Sequence, residues 1–177
     1  MFYMRWQGFS LLELMVAIMV LAILLTVGIP SYVQFREDNT LSSAGRDLYG
    51  GVLLARSEST KRHNEDVKVL FFGGSSWCYR ITDLDAATCD SCSATCDIDG
   101  DGQTRGGDAA SYSGVQMSNI GYPDDALLMG SLRGTMLDGS ILLSLGSKEI
   151  KVTTNKLGRV YLCTPPGTYL TGVDACS

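Results

Sequence analysis

The 177-residue chain carries 19 acidic and 14 basic side chains, a formal net charge of −5, which makes it a poor general ligand for nucleic-acid phosphates. Its single histidine, His63, stands without a nucleophile motif or a Gly-rich phosphate loop, so the inventory for an enzyme is missing. Less an apolar N-terminal stretch, the length allows one small globular domain.

From Phe9 to Ile29 the chain is almost entirely Leu, Ile, Val, Met and Ala, with one ionisable side chain, Glu13. As a helix this segment spans roughly 31 Å, about one bilayer core. A secretory signal would have a shorter apolar core with its small-residue cleavage site behind it. Here the small residue, Gly8, comes first, so a cut there would leave the apolar helix on the product. Arg5 is the only charge before the run, which keeps residues 1–8 on the cytoplasmic side and places everything after Ile29 beyond the inner membrane. A carboxylate near the start of a membrane helix is costly and marks either an interfacial position or a partner.

The stretch Gly8-Phe9-Ser10-Leu11-Leu12-Glu13-Leu14 resembles the GF[ST]L[IL]E[LM] processing site of type IV pilins and type II secretion pseudopilins. That resemblance implies cleavage after Gly8 by a prepilin peptidase and N-methylation of Phe9. It also implies that Glu13 meets the terminal ammonium of a neighbouring subunit, a pairing that neutralises two charges in hydrocarbon. A proline some twenty residues into the mature chain is usual in the family, and Pro30 sits there.

After Pro30 the helix is expected to resume with a kink. Leu41, Ala44, Leu48, Val52 and Ala55 recur at three- and four-residue spacing as one apolar stripe, with Arg46, Asp47, Arg56 and Glu58 beside or opposite it. Gly45, Gly50 and Gly51 weaken this helix by about 1 kcal/mol each where exposed, which tertiary packing must offset. The helix is expected to end between Lys61 and Asn64. Leu53-Leu54-Ala55-Arg56-Ser57-Glu58-Ser59 followed by Val67-Lys68-Val69 resembles the helix end of GspH-, FimT- and FimU-type minor pilins, with Ser59 where those usually have Ala.

From Asp66 the period becomes two. Val67, Val69 and Phe71 alternate with Lys68, Leu70 and Phe72, and Gly73-Gly74 turns into a strand in which Trp77, Tyr79 and Ile81 share one face and Cys78 and Arg80 the other. Residues 83–107, poor in large apolar side chains, read as one long loop. Regular pattern returns at 112–120, 140–145, 148–153 and 159–163, punctuated by Gly139, Gly146 and Gly158, for which an antiparallel meander is the economical topology. The closing run Ile150 to Val160 resembles the last hairpin of GspH/FimT-like domains.

Two constellations in the soluble part could carry chemistry. Asp97-Ile98-Asp99-Gly100-Asp101-Gly102 fits D-x-D-x-D-G, with Asp108 at position 12 as a final oxygen ligand for calcium. Against calcium, no helix is predicted on either side, Arg105 stands at position 9, and the bland reading is a solvated Asp/Gly turn. Cys78, Cys89, Cys92 and Cys96 allow a four-thiolate zinc site, a redox C-x-x-C or two disulfides, and an even cysteine count outside the cytoplasm favours disulfides. A C-terminal disulfide loop is common in pilins, and on that resemblance Cys163 is paired with Cys176.

The expectation is an α+β, type IV pilin-like fold: leader 1–8, transmembrane helix 9–29, amphipathic helix 31–64, and an extracytoplasmic β domain over 65–177 with a disulfide-stapled loop packed with the helix. The implied function is a structural one, a minor pilin or pseudopilin at the priming or tip complex of a type IV pilus or type II secretion pseudopilus. Its partners would be other minor subunits, the major pilin, prepilin peptidase and the bacterial inner membrane, with the soluble domain in the periplasm. No cofactor is required, and calcium is an optional one. The rival is a DNA-binding minor pilin for DNA uptake, for which Lys148, Lys151, Lys156 and Arg159 could line one hairpin, although no Lys or Arg follows Arg159.

Overall fold

The computed structural model describes residues 10–62, 67–83, 89–130 and 134–176. The expectations for Gly8, Phe9 and His63 lie outside those residues.

The first helix, α1 (Leu11–Lys61), begins with a cap: the Ser10 hydroxyl accepts from the backbone N–H of Glu13 at 3.1 Å, satisfying one of the donors a helix start leaves open. Pro30 lies inside α1 and does not end it. The chain divides into two compact units, residues 1–37 and 38–177. In the first, the described side chains from Leu11 through Phe35 for which burial is defined are all exposed. This is the one described helix long and apolar enough to cross a membrane.

In the second unit the 3.6-residue stripe of α1 is the backbone of the core. Leu41, Ala44, Leu48, Val52 and Ala55 are all fully buried. Two glycines of this helix answer to packing: a Cβ on Gly45 would stand 2.8 Å from Ile150 Cδ1, and one on Gly51 would overlap the Tyr79 ring. Their cost in helix propensity is the condition for close approach. Gly50 has open space around it.

The strands are β1 (Val67–Phe72), β2 (Cys78–Asp83), β3 (Arg105–Asp108), β4 (Gln116–Ser118), β5 (Ala126–Met129), β6 (Gly139–Leu145), β7 (Lys148–Thr154) and β8 (Val160–Cys163). They form two antiparallel four-stranded sheets, ordered β3-β2-β1-β5 and β4-β6-β7-β8. The four runs expected to form a meander lie side by side in that order as β4-β6-β7-β8, with β5 interposed in the chain between β4 and β6 and pairing instead with β1, in the sheet where β1, β2 and β3 are also consecutive neighbours. The long loop is shorter than expected, because Arg105–Asp108 adds to the edge of β2, and the 112–120 pattern yields only the three residues of β4.

Alternation decides the inner faces. Val67, Val69 and Phe71 of β1 are buried, as are Tyr79 and Ile81 of β2 and Leu127 and Met129 of β5. Ile141, Leu143, Ile150 and Val152 do the same for the second sheet. Phe71 stacks on Tyr122 with ring centroids 5.6 Å apart, and the Tyr122 hydroxyl lies 3.0 Å from that of Thr154, so a buried aromatic joins the two sheets. Trp77 stacks on Tyr112 and donates its indole N–H to the Val115 carbonyl at 3.0 Å.

Candidate functional site

The N-terminal site starts from Ser10 and Glu13. Ser-x-x-Glu at a helix start is a capping-box pattern, and the structure makes its first half, the Ser10 to Glu13 backbone bond. The sequence reading assigned Glu13 to a neighbouring subunit and passed over this local role. The pattern that would have revealed it was present in the chain. Glu13 is exposed, so its carboxylate stays open to a partner.

The Asp/Gly loop is closed by its own backbone donors and by two arginines. Asp97 folds it: its Oδ1 accepts from the N–H of Asp99 (2.9 Å) and Gly100 (2.8 Å), and its Oδ2 from Gly102. Those donors, Gly102 first, hold the Asp97 carboxyl below its ordinary pKa. Asp99 and Asp101 turn to arginine. Arg105 Nη2 reaches Asp101 Oδ2 at 2.7 Å and Asp99 Oδ2 at 3.2 Å, and Arg62 Nη2 reaches Asp99 Oδ1 at 2.7 Å. Arg105, then Arg62, holds the Asp99 carboxyl low. Asp108 sits at the end of β3 opposite Cys78 and binds Arg80 at 2.6 Å. Among the described residues no three His, Cys, Asp or Glu side chains converge as a metal cluster.

Arg80 is the one charged side chain among the described buried residues. A buried guanidinium needs partners in proportion to its donors. Nη1 donates to the carbonyls of Tyr79 (3.0 Å) and Gly107 (3.1 Å), and Nη2 donates to Asp108 and to the Cys92 carbonyl at 2.5 Å. The face of β2 that carries Cys78 and Arg80 is thus covered by β3 and the residues around Cys92.

All six cysteines are oxidised: Cys78–Cys92, Cys89–Cys96 and Cys163–Cys176. The last is the pairing anticipated for the C-terminal loop. Neither a four-thiolate zinc site nor a Cys89–Cys92 redox pair is formed. A further group, Asp47 of α1 with Tyr79 and Tyr112, escaped the sequence reading, since nothing in the chain brings those positions together. Tyr79 donates its hydroxyl to the Asp47 carbonyl at 3.1 Å, and burial pushes the Asp47 carboxyl above its ordinary pKa against the opposing pull of the two phenols. Of the hairpin cations, Lys148 is paired with Asp38 and Lys156 stands 3.7 Å from Asp138.

Residues 7–29 match the family model described as the prokaryotic N-terminal methylation motif. The chain is similar in structure to the type IV minor pilin FimU of Pseudomonas aeruginosa strain PAO1, with TM-score 0.53 and 18% identity over 76% of this chain and 99% of that one. The fold is type IV pilin-like. A second crystal form of FimU gives TM-score 0.50 at 17% identity, over 73% of this chain and all of that one. The minor pseudopilin EpsH of the Vibrio cholerae type 2 secretion system gives 0.50 at 16% identity, covering 72% of this chain and 98% of EpsH. No curated protein matches the chain in sequence.

Proposed function

We propose that the chain is a structural subunit, a minor pilin or pseudopilin, cut after Gly8 by a prepilin peptidase and methylated at Phe9. It is held in the inner membrane by residues 9–29 until it joins the priming or tip complex of a type IV pilus or type II secretion pseudopilus. One observation carries the reading: a methylation-motif match over 7–29 runs into a single helix whose later half is the core of a pilin-like domain. A helix exposed on every side with apolar residues is stable only in lipid or against other apolar helices. Glu13, capped in the helix start yet open outward, is the group left to meet a neighbour's terminal ammonium. Other minor subunits and the major pilin are the expected partners.

The test is mass spectrometry of the product from its native host. The expected first residue is N-methylated Phe9, and an unmodified or differently cut N-terminus would overturn the reading. DNA is the poorer partner, because two of the four hairpin cations already hold carboxylates. Calcium enters as an accessory ligand of the Asp97–Asp108 loop only by displacing Arg62 and Arg105 from Asp99 and Asp101. The expected outcome is no rise in Tm at millimolar calcium, and a rise would put the cation in the loop.

A further inference from the structure

Cys92 is held twice. Its sulfur is bonded to Cys78 and its carbonyl accepts from Arg80 Nη2 at 2.5 Å, and Cys78 and Arg80 lie two residues apart on one face of β2. The other contacts of Arg80 belong to the sheet: Tyr79 on its own strand, and Gly107 and Asp108 on β3. None of these depends on a disulfide, so the guanidinium is fixed once β2 and β3 pair. Two of its five donors are then left: Nε, which is buried without a partner among the described residues, and one on Nη2, which takes the Cys92 carbonyl.

The pairing that results is not the one chain proximity favours. Cys92 is three residues from Cys89 and four from Cys96, against 14 from Cys78. Loop-closure entropy favours the short pairings by roughly five- to tenfold. Something in the fold must bring Cys92 to β2 before the nearer thiols capture it.

We propose that Arg80 is a positioning residue for oxidative folding: by binding the Cys92 carbonyl it selects Cys92, rather than Cys89 or Cys96, as the partner of Cys78. A small-molecule disulfide such as oxidised glutathione supplies the oxidant. Cys92, partly exposed where Cys78, Cys89 and Cys96 are buried, forms the mixed disulfide and releases one thiol. The Cys78 thiolate then attacks the Cys92 sulfur, the bond to the small thiol breaks, and the leaving thiolate takes up the proton Cys78 gave. Two cysteine thiols are oxidised and one small disulfide is reduced to two thiols. Cys89 and Cys96 are left to pair with each other, as they do here.

The experiment refolds the full-length chain in detergent from its reduced, unfolded state into a glutathione redox buffer, traps thiols by alkylation at intervals, and maps disulfides without reduction. In Arg80→Met the Cys78–Cys92 bond is expected to form about tenfold more slowly, the loss of one hydrogen bond to a charged donor. Cys89–Cys92 and Cys92–Cys96 products should accumulate in its place. Arg80→Lys, which keeps the charge without the fork, should recover part of the rate, and Asp108→Asn should show a smaller loss in the same direction. Cys163–Cys176 forms in the other sheet and serves as the internal control: it should close at the wild-type rate in every variant. The proposal is overturned if Arg80→Met regenerates both native loop disulfides at the wild-type rate. It is equally overturned if Cys163–Cys176 is lost in parallel, because Arg80 would then act on the whole domain and not on Cys92.

Discussion

Gly50 and Gly51 are neighbours on α1 with opposite surroundings. Gly50→Ala meets open space and gains helix propensity, so it should stabilise the domain by about 1 kcal/mol. Gly51→Ala drives a methyl into the Tyr79 ring and should cost about 1–3 kcal/mol. Urea unfolding of both variants in detergent separates the two effects. Asp47 offers a pH test. Its folded-state pKa is raised by burial, so its contribution to stability is fully present below the ordinary carboxylate value and is lost as pH rises through the raised one. Asp47→Asn, which removes that ionisation, should gain on the wild type at neutral pH and lose the advantage as pH falls, read from Tm across a pH series. Asp97 and Asp99 have the opposite sign: their carboxyls are held low, so the loop they build persists in mild acid and loosens only as pH falls through their depressed values.

At the scale of elements, legibility followed periodicity. The α1 stripe was readable because five apolar residues at helical spacing have one geometric meaning, and all five are buried. Strands β1, β6, β7 and β8 carry alternation or a glycine turn and were readable for the same reason. Strand β3, Arg-Gly-Gly-Asp, has no hydrophobic period at all; it exists because β2 offers an edge. Strand β5, Ala-Leu-Leu-Met, finds its place only through distant β1. The loop carboxylates show the same limit, since the D-x-D-x-D-G spacing gives the turn but not the arginines that arrive from Arg62 and Arg105. The Cys163–Cys176 bond closes a loop with a sequence separation of 13. Replacing both cysteines by Ser should cost about 3 kcal/mol by loss of the constraint on the unfolded chain, measured by denaturant unfolding.

For the molecule as a whole, the deciding contrast is between a unit with an apolar surface and a unit with an apolar interior. Residues 11–29 expose Leu, Ile, Val and Met at 49–77% of their full surface where a value is defined. Such a surface has no stable state in water. Replacing Glu13 by Leu should leave membrane insertion intact, since it removes the segment's only charge, while lowering recovery of the protein in sheared filament fractions. Equal recovery of Glu13→Leu and wild type would remove the intersubunit role from Glu13.

The loop disulfides overlap: Cys89 lies between Cys78 and Cys92, and Cys92 lies between Cys89 and Cys96. A protease that severs any one peptide bond between Cys78 and Cys96 therefore releases nothing, because at least one sulfur bridge spans every such cut. Wherever reductants are scarce, this stretch can be nicked and still remain a single covalent body.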